Sequence, residues 1–85
     1  MSDDYTPKPH PIDIHVGLRA RGRRNELSMS QSILADALGI SFQQVQKYER
    51  GANRVSASML WEMAKAMKVP VAYFYEGYGD GVEQQ

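Results

Sequence analysis

Between Gln31 and Glu49 the chain reads QSILADALGISFQQVQKYE, and its apolar residues follow two short helical rhythms that meet at one corner, Gly39-Ile40-Ser41. No other stretch of the 85 residues constrains the fold as tightly. Leu34, Ala35 and Leu38 recur at helical spacing and form an apolar stripe, while Gln31, Ser32 and Asp36 fall elsewhere on the surface. Gly39 stops this helix: a residue without Cβ takes the left-handed conformation that closes a helix C-terminus, and Ile40 behind it is placed to enter the core. Ser41 is a cap for the next helix, whose inward stripe is Val45 and Tyr48.

With Val45 pointing inward, steps of about 100° per residue put Gln43, Lys47 and Arg50 on the opposite face and Gln44 and Gln46 at its edges. That face carries amides and cations and no carboxylate. Its chemistry has a counterpart in the DNA major groove. Glutamine pairs with adenine N6 and N7, lysine donates to guanine O6 and N7, and an apolar group such as Phe42 meets a thymine methyl. A Gln-rich helix face on its own is usually just solvated; the short helix before it, the glycine corner and the flanking arginines favour the DNA reading. The candidate base-reading residues are Phe42, Gln43, Gln44 and Lys47.

From Val16 to Phe74 the sequence resembles the Cro/C1-type, or XRE-family, helix-turn-helix domain. The residues that carry the resemblance are Gly17, Leu27-Ser28-Met29-Ser30-Gln31, Leu34-Ala35, Leu38-Gly39-Ile40-Ser41, the run Gln46-Lys47-Tyr48-Glu49-Arg50-Gly51, and later Leu60, Met63-Ala64 and Val69-Pro70. The resemblance implies an all-α, compact, five-helix lambda-repressor-like fold, with the second and third helices as the helix-turn-helix. It also implies a partly buried ion pair between Arg24 and Glu49, at the ends of the first and third helices.

Composition agrees with one small domain. The chain has no cysteine, so it has no disulfide framework, thiol nucleophile or zinc-finger pattern. No apolar run is long enough to span a membrane and the polar N-terminus lacks a signal-peptide core, which makes a cytoplasmic, nucleoid-associated protein the expectation. Ten basic residues balance ten acidic ones, which by itself argues against a nucleic-acid partner. The distribution reverses that impression. Residues 16–54 hold seven arginines and lysines against three carboxylates, and the excess acid lies in the two flanks.

The chain divides into an extended arm over residues 1–11, marked by Pro7, Pro9 and Pro11, a domain over residues 12–76, and a glycine-rich disordered tail over residues 77–85. Helices are expected over about Asp13–Arg24, Gln31–Leu38, Phe42–Glu49 and Ala57–Met67. A short fifth helix opened by Pro70 should run to about Tyr75. Gly22 makes the first helix the weakest of the five. Met59, Trp61, Met63 and Met67 read as ordinary core or interface rather than a ligand pocket.

Phosphate contacts are expected from helix ends and loops. Gln31 opens the second helix, where free N–H groups can face an anion, and Arg50, Asn53, Arg54, Ser56 and Ser58 follow the third helix. Ser41 and Gln46, beside the reading face, complete the set. Arg19, Arg21 and Arg23 are read as a soluble face. No catalytic residue, metal site or cofactor is expected, because His10 and His15 lie near the arm with no nucleophile or carboxylate cluster around them. A single domain of this size covers too little DNA for tight specificity, so a homodimer on a palindromic operator is expected. Tyr73, Tyr75 and Tyr78 are the candidate subunit contacts, and Phe74 is assigned to the core. The function inferred is a sequence-specific transcriptional regulator binding double-stranded DNA, a repressor by its simplicity. The alternatives are an antitoxin that also holds a toxin, and an adaptor that uses the same face to bind protein.

Overall fold

Three serines decide where the middle helices begin. Ser30, Ser41 and Ser56 lie in extended backbone, and the hydroxyl of each accepts the N–H three residues on, from Ile33 at 3.0 Å, Gln44 at 3.0 Å and Met59 at 3.1 Å. Each cap satisfies a first-turn donor that has no partner inside its own helix, a contribution of about 1 kcal/mol. The computed structural model describes residues 9–79. Within them lie α1 (Pro11–Glu26), α2 (Gln31–Leu38), α3 (Phe42–Glu49), α4 (Ala57–Met67) and a 3-10 segment over Val71–Tyr75. The residues expected to form the arm up to Lys8, and the tail from Asp80 on, lie outside the described residues.

Helices α2, α3 and α4 run over the expected residues, and two expectations are corrected. Helix α1 starts at Pro11 rather than Asp13, because His10 caps it by accepting the Ile12 N–H on Nδ1 at 3.0 Å, and proline suits the first helical position. It also runs on to Glu26. The fifth helix is not an α-helix: the segment winds as a short 3-10 helix, opened by the Tyr73 N–H on the Pro70 carbonyl at 2.9 Å and closed by the Glu76 N–H on the Tyr73 carbonyl at 3.3 Å. Five residues, four of them β-branched or aromatic and followed shortly by Gly77 with φ 87°, are too few to nucleate a longer helix, and the segment is held instead by its buried Phe74.

The α2–α3 corner is a Schellman turn. Gly39 has φ 69°, its N–H reaches the Asp36 carbonyl at 3.3 Å, and the Ile40 N–H reaches the Ala35 carbonyl at 3.1 Å. Half-buried Ile40 then packs on the core. The core takes Val16 and Ala20 from α1, Leu34 and Ala35 from α2, Val45 from α3, Leu60, Met63, Ala64 and Met67 from α4, and Phe74. On α4 the residues at positions i, i+3, i+4 and i+7 point inward, which leaves Trp61 outside that stripe. It is 60% exposed, so it is not the core residue that its neighbouring methionines suggest. Among the described residues no helix is long and apolar enough to cross a membrane.

Helix α1 crosses α3 at close range. Gly17 is buried, and a Cβ there would collide with the Tyr48 carbonyl oxygen and lie 2.9 Å from that of Glu49. At the other end of the contact, Arg24 and Glu49 form a two-pronged pair, Nε to Oε2 at 2.6 Å and Nη2 to Oε1 at 3.0 Å. They are 8% and 5% exposed. Arg24 Nη1 also donates to the Met29 carbonyl at 2.8 Å, which ties the α1–α2 connection to the same guanidinium.

Two glycines in one helix therefore predict opposite outcomes. Gly17→Ala forces α1 and α3 apart and should lower stability by about 1–3 kcal/mol. Gly22 is exposed, and a Cβ at that position would meet nothing within 4 Å, so Gly22→Ala should raise stability by about 0.5–1 kcal/mol. Thermal melts followed by circular dichroism check both signs. For the ion pair, Glu49→Ala should cost about 3–5 kcal/mol because it strands the Arg24 charge. Urea titration should find the double variant Arg24→Met with Glu49→Leu more stable than Glu49→Ala alone.

Candidate nucleic-acid interface

Helix α3 is eight residues long and is anchored by only part of its surface. Val45 and Glu49 are buried and Tyr48 is half-buried, so the side away from them is left to solvent. Gln43, Lys47 and Arg50 are exposed there, with Gln44 and Gln46 half-buried at the two edges. Phe42, in the first turn, is 40% exposed. The face is a continuous strip of amide and cationic groups.

Its edges have different neighbours. On one side the Gln44 Nε2 donates to Asn53 Oδ1 at 3.0 Å, and Asn53 Nδ2 donates to the Ala52 carbonyl at 3.2 Å. This linkage fixes the direction of the Gln44 amide while leaving its oxygen and second hydrogen available. On the other side, Gln46 and Arg50 border a cavity of about 350 Å³ that is completed by Arg21, Arg24, Gln31 and Glu49. Arg50 thus belongs to the edge opposite Asn53, although the two are close in sequence.

The remaining candidates are dispersed. Gln31 is half-buried and its Nε2 donates to Glu49 Oε1 at 3.0 Å, which joins the start of α2 to the buried ion pair. Ser41 and Ser56 already accept cap hydrogen bonds, so either hydroxyl would meet a phosphate only as a donor. Ser58 lies 3.3 Å from Ser56, hydroxyl to hydroxyl. Arg54 is well exposed, yet its Nε pairs with Asp13 Oδ2 at 3.0 Å, across to the start of α1.

The cationic surplus read from the sequence is smaller than a count of residues suggests. Arg19 pairs with Glu76 at 3.0 Å, donates to the Tyr73 carbonyl at 2.9 Å and stacks its guanidinium 3.8 Å from the Tyr73 ring centroid. Arg23 donates to the Met67 carbonyl at 2.9 Å and pairs with Glu26 at 3.2 Å. These two arginines are therefore not a free soluble face, because they stitch α1 to the C-terminal end of the fold. Sequence reasoning missed both roles, since the partners lie 44 residues or more away. Arg21, about half a turn from each, makes no such bond among the described residues.

The C-terminal aromatics also separate. Tyr73 is half-buried beneath Arg19 and meets Phe74 edge-on at 5.7 Å, so most of its ring serves its own domain. Tyr75 and Tyr78 stay exposed, and Tyr78 lies edge-on to His15 at 5.5 Å. His15 itself is spent on structure, with Nε2 donating to the Glu76 carbonyl at 2.7 Å.

Comparison with known proteins agrees with this geometry. The helix-turn-helix profile HTH_3 matches residues 21–74. The chain is 57% identical over 75 residues to an HTH-type transcriptional regulator of Sinorhizobium medicae, covering 87% of this chain and 54% of that protein. It is 52% identical over 75 residues to a transcriptional regulator in the ATPase CF(0) region of Rhodospirillum rubrum, covering 88% and 69%. The chain thus spans about half the length of the first of these relatives. Among solved structures, the restriction-modification controller protein C.AhdI from Aeromonas hydrophila superposes with a TM-score of 0.73 at 26% identity, over 76% of this chain and 98% of that one. The clp gene regulator ClgR from C. glutamicum shares the fold with a TM-score of 0.77 at 22% identity, over 94% and 100%. The serine-capped α2, the left-handed glycine corner and the outward α3 are the helix-turn-helix itself, and the chain belongs to the Cro/C1-type (XRE) helix-turn-helix family.

Proposed function

We propose that this chain is the DNA-binding part of a transcriptional regulator, and that it reads sequence by laying α3 in the major groove. The observation that carries the proposal is the α3 face, where Gln43 and Lys47 are exposed, carboxylates are absent and the edges are bordered by amide and arginine groups. Gln43 and Lys47 sit at about 160° and 200° from the buried Val45, so their side chains meet base edges when the helix enters the groove. Phe42 and Gln44 flank them, with Gln44 aimed by Asn53. Gln31, Ser41, Gln46, Arg50, Asn53, Arg54, Ser56 and Ser58 hold the phosphates on either side. Arg54 contributes least of the arginines, because the Asp13 carboxylate already offsets its charge.

The regulator acts as a twofold homodimer on a palindrome, with half-sites about 34 Å apart, and represses by occupying a promoter. Exposed Tyr75 and Tyr78 fit the subunit contact better than Tyr73, whose ring is covered by Arg19. Selecting binding sites from random duplex DNA tests the reading directly, and a twofold-symmetric consensus is the expected result. Gln43→Ala should then lower affinity for the selected site by about 1–3 kcal/mol and relax preference at one base position. Equal weakening on every sequence in the library would remove α3 from the role of reading helix.

A further inference from the structure

The arginine of α1 that the fold does not use points to a phosphate site. Arg19 and Arg23 are turned onto the C-terminal segment, and Arg24 is locked to Glu49. Arg21 is exposed, has no ion-pair partner among the described residues, and lines the 350 Å³ cavity between the C-terminal half of α1, the start of α2 and one edge of α3. Across the cavity stands Arg50, also exposed and, among the described residues, without an ion pair.

The floor of the cavity explains how anions can enter beside a carboxylate. Glu49 Oε2 accepts from Arg24, and Oε1 accepts from both Arg24 and Gln31, at 2.6, 3.0 and 3.0 Å. Its charge is compensated and its oxygens are occupied, so it does not repel a ligand as a bare carboxylate would. Three guanidinium groups against one carboxylate leave the cavity with a local charge of about +2 by formal count. Gln31 spends one amide hydrogen on Glu49 and keeps the other, while Gln46 adds a second amide at the wall. Two free arginines and two amides line one volume, a donor set suited to a phosphate oxyanion.

We propose that Arg21, Arg50, Gln31 and Gln46 form a single-phosphate site for the DNA backbone, with α1 supplying the contact through Arg21. The inference rests on the DNA-binding function proposed above and adds to it a residue from outside the helix-turn-helix. Gln46 and Arg50 are one turn apart on the α3 edge next to the base-reading strip, so a strand bordering the occupied groove passes over the cavity. The Gln44–Asn53 edge meets the other strand. Glu49 acts as a positioning residue here, because it aims the Gln31 amide.

The test measures binding of the whole chain to a random-sequence duplex and to the selected site across a range of salt concentrations. Arg21→Gln lies on an exposed helical position and should leave the thermal midpoint unchanged. It should weaken both duplexes several-fold and reduce the slope of log affinity against log salt by about 0.9, the loss of one phosphate contact. Lys65→Gln, exposed on α4, serves as the charge control and should leave the slope as it was. Replacing backbone phosphates one at a time by neutral methylphosphonate should reveal one position at which Arg21→Gln causes no further loss. A wild-type slope in Arg21→Gln, with site selection intact, overturns the phosphate site and leaves the reading helix standing. Absence of salt-dependent binding by the wild-type chain overturns both. Inorganic phosphate should displace DNA no better than chloride at equal ionic strength. Selective displacement that disappears in Arg21→Gln would reassign the cavity to free phosphate and overturn the backbone contact.

Discussion

Everything on the outward side of α3 depends on how its inward side meets α1. An isolated eight-residue helix is unstable in water, so neighbours must set both its existence and its orientation. Gly17 lets the α1 backbone approach the Tyr48 and Glu49 carbonyls more closely than any side chain would permit. Gly51, with φ 74°, repeats the device just beyond α3, where a Cβ would meet the Ile14 backbone at 2.7 Å. Between these contacts the Arg24–Glu49 pair fixes rotation as well as distance, since a two-pronged hydrogen bond tolerates little twist. With Val45 and Glu49 pinned, Gln43 and Lys47 have nowhere to point except outward.

The ion pair itself is not an obvious source of stability. Removing both charges from water costs several kcal/mol per ion, and the pair recovers this only through its geometry and additional hydrogen bonds. Both are present, because Arg24 also bonds the Met29 carbonyl and Glu49 also accepts from Gln31. Four segments therefore share one buried charge centre: α1, the α1–α2 connection, the start of α2 and the end of α3. Its value lies in specifying one arrangement of those segments. A purely apolar contact at this place would permit sliding that the guanidinium forbids.

Local features of this fold are legible in the sequence, and the long-range ones are hidden. Ser30, Ser41 and Ser56 mark helix starts through hydrogen bonds that span three residues, and Gly39 marks a stop through its own φ, so short windows suffice to place α2, α3 and α4. Helix α1 reads too short because its cap is His10, whose ring nitrogen does the work more often done by serine or aspartate. A full fifth helix is a misreading because Pro70 signals a start but says nothing about the pitch that follows, and packing of Phe74 decides the rest. Trp61 groups with its methionine neighbours in sequence, although one step along a helix turns a side chain by about 100° out of the buried stripe. Within the candidate site, the exposed residues of α3 follow from periodicity alone. The commitments of Arg54, Gln44 and Gln31 do not, since Asp13, Asn53 and Glu49 reach them across 41, 9 and 18 residues.

Charge shows why such long-range pairing matters for function. A neutral chain attracts a polyanion only where its cations are left uncompensated, and the fold decides which those are. Glu76 takes Arg19, Asp13 takes Arg54 and Glu49 takes Arg24, each carboxylate lying far from its arginine in sequence. What the internal pairs leave over is not spread evenly. Four cations stay unpaired among the described residues: Arg21, Lys47 and Arg50, on or beside the α3 face where the amides also lie, and Lys68 at the end of α4. The cancellation that makes the whole chain neutral thus leaves three of these four cations at one surface, which suits the proposed DNA contact through placement of a few cations rather than through bulk charge.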